Sequence, residues 1–200
     1  MVTVLVGKEE KRFTLHQDAI CAKSKFFKAA CSKKWLEGQE RTVRLPKTEV
    51  TTFQEYGSWI YSSEIADGTC TAVSTSNEKG NEFQRLVYLH LLGDKLDDIQ
   101  LRNKANVGLF KIMQKTNAVP DAQLNKLVWA STMPGSLLRK LIVDAIVKRY
   151  TRDGFAADVS QYPAECVQEV AVAALQAAPV SSWEYMVQNL SPYKEDGKTG

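Results

Sequence analysis

Residues 1–27 read MVTVLVGKEEKRFTLHQDAICAKSKFF. Val2, Val4 and Val6 alternate with Thr3 and Leu5, the two-residue period of a strand with one face buried. Gly7 to Arg12 is polar and turn-forming, and Phe13 and Leu15 resume the alternation around Thr14, which predicts a hairpin. The period then lengthens. Ile20, Phe26, Phe27, Ala30 and Cys31 recur at helical spacing, and Ser24 is placed as the N-cap of a second short helix after a first one containing Ile20.

Outward from this block, Thr42 to Leu45 is β-branched and alternating and is stopped by Pro46, whose lack of an N–H predicts a short third strand near an edge. Thr48 or Glu49 opens a helix in which Phe53, Tyr56 and Ile60 share a face, with Trp59 beside it. Asp67 to Gly80 is rich in Ser, Thr, Gly and Asn and reads as a loop or weak strand. Phe83, Leu86, Val87 and His90 form one helical stripe and Leu101, Ala105, Leu109 and Ile112 another, with Asp97 or Asp98 available as a cap between them. Pro120 and Asp121 mark the next boundary. Leu124, Leu127 and Val128 then give one helix, and Leu138, Leu141, Ile142, Ala145 and Ile146 give another beyond Pro134 and Gly135. Pro163 sits at a first-turn position ahead of Val167, Val170, Ala171, Ala174 and Leu175. These patterns predict an α+β fold, a small sheet capped by helical hairpins and followed by an all-helical C-terminal region. The expected divisions are a domain over 1–117, a helical extension over 118–190 and a flexible tail over 191–200.

A chain of 200 residues with 44% hydrophobic and 24% charged side chains has enough apolar material for a core, which excludes disorder over most of its length. Its apolar runs fall far short of the roughly 20 residues that cross a bilayer. No basic and apolar leader precedes the first strand, so the expected location is intracellular, cytoplasm and/or nucleus. Cys21, Cys31, Cys70 and Cys166 show no CxxC pairing and are expected to be reduced thiols that act as small hydrophobes.

Catalytic patterns are lacking: there is no glycine-rich phosphate loop, no GxSxG elbow, no HExxH, and only two histidines, His16 and His90. No enzyme activity, cofactor, metal or small-molecule substrate is expected, and His90 on its apolar stripe reads as a packed histidine. Ala19 to Leu36 holds Lys23, Lys25, Lys28, Lys33 and Lys34 and no acidic residue, interleaved with Phe26, Phe27 and Trp35. Such a run could serve a nucleic-acid-associated regulator. Its aromatics, however, lie at burying spacings and it contains no arginine, so a solvated helix face is the simpler reading and nucleic acid is not an expected partner.

The series Phe13-x-x-His16-x-x-x-Ile20-x-x-x-Ser24-x-x-Phe27, following strand, turn and strand, resembles the BTB/POZ domain. Val43, Leu45 and Pro46, then Phe53, Tyr56, Trp59, Ile60 and Tyr61, are similar to that family's third strand and the helix after it. Leu86, Tyr88, Leu89, Gly93, Asp94 and Leu96 are similar to its fourth helix, so the likeness extends from about Val2 to Thr116. Ala29, Ala30, Cys31, Lys34, Trp35 and Glu37 look like the version in compact members without other recognisable domains. The resemblance implies a non-catalytic protein–protein interaction module that acts as a homo-oligomeric scaffold or adaptor. The expected partner is a second copy, and an alternative is a cullin, with the chain as substrate adaptor of a ubiquitin ligase. The chain starts at the first strand of the hairpin, so a domain-swapped homodimer is not expected, and Met1 and Gln17 stand where transcription-factor members carry a charged pair. Phe13, His16, Ile20, Ser24, Phe27, Phe53, Tyr56, Trp59 and Tyr61 are expected to be structural, with His16 fixing the corner between strand and helix by bonding backbone. Phe26, Trp35, Leu36, Lys28 and Lys34 are the candidate interaction surface, because a helix that buries Phe27 cannot also turn Phe26 directly inward. The C-terminal helices are read as a cap on the core or, alternatively, as the extension that widens the contact in cullin-binding members.

Overall fold

The computed structural model describes residues 1–32, 40–65, 76–150 and 152–177. Strand β1 (Val2–Val6) lies at the centre of a three-stranded sheet, antiparallel to β2 (Lys11–Leu15) and parallel to β3 (Thr42–Leu45), in the order β2-β1-β3. Register places Val4 opposite both Phe13 and Val43. Val2, Val4 and Val6 are buried, as the two-residue period requires, and the proline-terminated β3 is an edge strand. Gly7 turns the hairpin with a φ of 77°, where a Cβ would also stand 3.2 Å from Val50 Cγ2.

Two short helices, α1 (Gln17–Lys23) and α2 (Lys25–Ala30), follow the hairpin. Helix α3 (Val50–Ser62) starts after Glu49 and buries Phe53, Tyr56, Trp59 and Ile60. Helices α4 (Ser76–Lys95) and α5 (Ile99–Thr116) form the expected hairpin, capped by Asp98. They approach closely at Gly93, where a Cβ would stand 3.0 Å from Arg102 Cγ. Helices α6 (Ala122–Ser131) and α7 (Leu137–Arg149) are capped by Asp121 and Ser136, and the break between them contains Gly135 at a φ of 80°. Helix α8 (Arg152–Asp158), a 3-10 turn (Val159–Gln161) and α9 (Ala164–Ala177) complete the described chain.

The sheet and helices share one hydrophobic core that runs from Val2 to Val170. Helix α6 packs on α4, α7 on α5, and α9 on both α6 and α7. Ile20, Phe27 and Phe53 are fully buried, each contributing about 1.5–3 kcal/mol by burial. The α+β reading holds, with a small sheet and a largely helical remainder.

The readings of residues 76–80 and of Pro163 need correction. Residues 76–80, expected in a loop or weak strand, are the first turns of α4; tertiary packing of the long α4 stripe overrides their polar, loop-like composition. Phe13 is only half-buried, because β2 is an edge strand and the ring meets the core edge-on, 5.1 Å from Phe53. Pro163 precedes α9 and accepts the Val167 N–H through its carbonyl at 3.1 Å, so it occupies the cap position, not the first turn. Phe155 of helix α8 lies between Tyr150 and Tyr162, edge-on to the first ring and tilted against the second. The expected tail over 191–200, the end of the extension and Cys70 lie outside the described residues.

Candidate interaction site

Helices of seven and six residues, such as α1 and α2, do not persist on local hydrogen bonds alone. Their position comes from the turn between α4 and α5. Ser24 has an extended backbone that breaks the helix between Lys23 and Lys25, and its hydroxyl accepts the Phe27 N–H at 3.1 Å. The same hydroxyl donates to the Leu96 carbonyl at 2.5 Å. Beside it, the Phe26 and Lys25 N–H groups donate to the carbonyls of Leu96 and Asp97 at 3.3 and 3.4 Å. The unpaired N–H groups that begin any helix are thus met by carbonyls of the α4–α5 turn.

A second set of bonds ties α3 to the same turn. Trp59 Nε1–H donates to Asp98 Oδ2 at 3.0 Å, and Asp98 Oδ1 accepts the Leu101 N–H at 2.9 Å. Asp98 is 0% exposed, so one carboxyl group both caps α5 and satisfies a buried indole. The Tyr56 hydroxyl lies near Asp98 and Ser24, and burial, reinforced by the Asp98 charge, pushes its pKa well above the ordinary value. On the outer side, Lys23 Nζ lies 4.9 Å over the Trp59 ring and donates to Ser63 Oγ and Gln100 Oε1 at 2.8 and 2.9 Å. Residues from α1, α3, the end of α3 and α5 are held by this one ammonium.

Of the spaced residues expected to be structural, Ser24 and Trp59 join this clamp with Tyr56 beside it, whereas Ile20, Phe27 and Phe53 fill the core. His16 lies at a separate corner and differs from expectation. Its side chain makes no backbone cap; instead its Nδ1 pairs with the Tyr61 hydroxyl at 3.0 Å, and the His16 backbone N–H donates to that hydroxyl at 3.2 Å. Tyr61, at the end of α3, supplies the polar atom that closes the corner, a partner no local spacing would indicate. Tyr61 stays largely exposed apart from this bond.

On the opposite side of α2, Phe26 is half-buried, its ring edge-on to Phe27 at 5.3 Å, and Lys28 is exposed. Lys34, Trp35 and Leu36 lie outside the described residues. The basic run is less bare in three dimensions than along the chain, because Lys23 is engaged in the clamp and Lys25 faces Asp97 at 3.7 Å. His90 is buried on α4, and burial holds its pKa below the ordinary value. Among the described residues, no group of His, Cys, Asp and Glu could hold a metal ion, and no helix is long and apolar enough to cross a membrane.

Two features of the C-terminal half have no signal in the one-dimensional pattern. Arg139, 2% exposed, is planted between α6, α7 and α9. It donates to the carbonyls of Trp129 and Thr132 at 2.8 and 2.5 Å, to Thr132 Oγ1 at 3.0 Å, and to Glu165 and Glu169 at 3.0 Å each. Its guanidinium also lies 5.4 Å from the Trp129 ring centre. In sequence Arg139 is simply a cation between Leu138 and Leu141. The second feature is an open groove of about 320 Å³ between α5 and α7, lined by Val107, Phe110, Leu137 and Leu141 together with the Lys140–Asp144 ion pair. Phe110 and Leu137 are 52% and 65% exposed. These groups fall off the buried stripes of their helices, and only the crossing of α5 and α7 gathers them.

Residues 2–84 match the family model of the BTB/POZ domain, and this part of the chain is a BTB/POZ domain, a protein–protein interaction module. The match ends within α4, so the motif at Leu86 to Leu96 lies beyond it. No curated protein matches the chain.

Proposed function

We propose that this protein is a non-catalytic intracellular scaffold that self-associates through the outer face of α1 and α2. In this reading the interaction domain spans residues 1–117, with 118–190 as its helical extension. The observation that carries the reading is the state of α2. A six-residue helix is held by main-chain bonds to the α4–α5 turn, yet of its outward residues Phe26 is only half-buried, edge-on to Phe27, and Lys28 is exposed. A rigid, partly apolar patch of this kind loses little conformational entropy on docking. The dimer envisaged is not domain-swapped.

Sedimentation equilibrium of the full chain is expected to give twice the chain mass, and Phe26→Asp is expected to give the monomer with an unchanged far-ultraviolet spectrum. Because Phe26 also touches the core, Lys28→Glu, on an exposed position, is the companion variant and is expected to weaken the dimer at least several-fold. A chain that is monomeric at every concentration, or a dimer indifferent to both substitutions, overturns the reading.

The groove between α5 and α7 favours a second reading, the cullin adaptor. Here α6 and α7 extend the module, and the apolar lining of Val107, Phe110, Leu137 and Leu141 receives an apolar segment of the partner. Purified cullin N-terminal domain is expected to bind the wild-type chain and to lose at least about tenfold in affinity with Phe110→Asp, since a carboxylate would be desolvated in the contact. Binding that is absent, or equal in both proteins, removes this reading and leaves the scaffold untouched.

A further inference from the structure

Cys21 lies on α1 and Cys31 closes the C-terminus of α2, and the break at Ser24 folds the two helices together. Both residues converge on one atom, the carbonyl oxygen of Phe27. The Cys21 thiol donates to it at 3.5 Å and the Cys31 backbone N–H donates to it at 2.9 Å. Sharing this carbonyl places the Cys21 sulfur beside the main chain of Cys31 at the joint. Each is half-buried and free, so a small oxidant can reach them, whereas Cys166 is buried on α9. The hydrogen bonds of Ser24, Lys25 and Phe26 to the α4–α5 turn fix this joint, so the thiols are held as neighbours and do not meet by chance.

We propose that Cys21 and Cys31 are a reversible redox pair that closes to an intrachain disulfide when the protein meets a peroxide. In the first step the Cys21 sulfur attacks one peroxide oxygen and the O–O bond breaks. A sulfenic acid forms on Cys21, and the departing hydroxide takes the thiol proton and leaves as water. In the second step the Cys31 sulfur attacks the sulfenic sulfur, the S–O bond breaks, and the hydroxide leaves with the Cys31 proton as a second water. The two sulfurs together give up two electrons, and the peroxide is reduced to two waters. A small dithiol reverses the reaction by exchange. Burial, reinforced by the adjacent Cys21, pushes the Cys31 thiol up to about 11, which keeps it protonated and disfavours it as the first attacker. The pair joins α1 to the end of α2, and its chemistry does not depend on self-association.

The test uses the full reduced chain treated with stoichiometric hydrogen peroxide, alkylated, and digested without reductant. The expected results are a mass lower by two hydrogens, a peptide linking residues 21 and 31, and an at least about tenfold loss of alkylation at both positions that dithiothreitol restores. Cys31→Ser is expected to stop at a sulfenic acid on Cys21 that dimedone traps, and Cys21→Ser is expected to leave Cys31 open to alkylation after the same exposure. A link from either residue to Cys70 or Cys166, a bond between two chains, over-oxidation of each sulfur with no link, or no reaction at all overturns the proposal.

Discussion

Arg139→Ala is expected to lose on the order of 3–5 kcal/mol of stability, read as a lower urea midpoint with little change in slope. The size of the effect follows from what the guanidinium touches. Its ion pairs with Glu165 and Glu169 contribute little, because those carboxylates are 64% and 31% exposed and pairs near water are typically worth about 0–1 kcal/mol. The carbonyls of Trp129 and Thr132 matter more. Each would lose a charged donor in a buried setting, at about 1–3 kcal/mol apiece, and the missing side chain would leave a hole against Trp129. Two observations separate this account from a charge-driven one. Added salt should change the wild-type midpoint very little, and Arg139→Lys should recover only part of the loss, since a single ammonium cannot reach both carbonyls in the planar fork that arginine presents. Limited proteolysis should cut α9 first in the alanine variant, because α9 meets the hub through Glu165 and Glu169. A loss below about 1 kcal/mol, or full recovery by lysine, would show that the hub is a surface ion pair and nothing more.

Asp98→Ala is expected to cost about 3 kcal/mol, the sum of a lost helix cap and an orphaned buried indole N–H. The near-isosteric Asp98→Asn should still cost about 2 kcal/mol. An amide has one acceptor atom, so it can receive either the Leu101 N–H or the Trp59 N–H, and it turns an NH₂ group toward the other donor. The decisive measurement is a double-mutant cycle with Trp59→Phe. Once the indole donor is gone, Asp98→Ala should cost only the cap, about 1 kcal/mol, and the coupling energy between the two sites should be about 1–2 kcal/mol. Additive costs would mean that Trp59 and Asp98 act independently and that the clamp does not transmit between α3 and α5. Because the same turn holds α2 through Leu96 and Asp97, amide exchange on α2 should accelerate in Asp98→Ala alongside exchange at the start of α5.

Much of the clamp could be read along the chain and much could not, for reasons that differ from residue to residue. Ser24 was legible because an N-cap is a local requirement: a serine three residues before Phe27 can accept its N–H whatever the rest of the fold does. The same hydroxyl's bond to Leu96 was not legible, since the partner lies 72 positions away. Asp98 was legible only as one of two candidate caps, with Asp97, and invisible as the partner of Trp59. The place of His16 between strand and helix is local, but its bond is not, because its partner is Tyr61 on another element. The lysine run looked like an unbroken cationic face because Asp97, which meets Lys25, is far off in sequence. The candidate contact at Phe26 rests on periodicity alone, while the groove at Phe110 and Leu137 has no period to announce it.

The sequence by itself determined the hairpin, the succession of helices, the capping residues and the apolar series that fills the core, because each follows from short-range steric and hydrogen-bonding demands repeated at a period of two or of 3.6. Only the tertiary structure decided that the α4–α5 turn grips α2, that Arg139 fastens three helices, that Cys21 and Cys31 share one carbonyl, and that α5 and α7 leave an apolar groove open. Those are meetings of residues distant along the chain, where the partner is chosen by which faces pack together and not by any spacing within one segment.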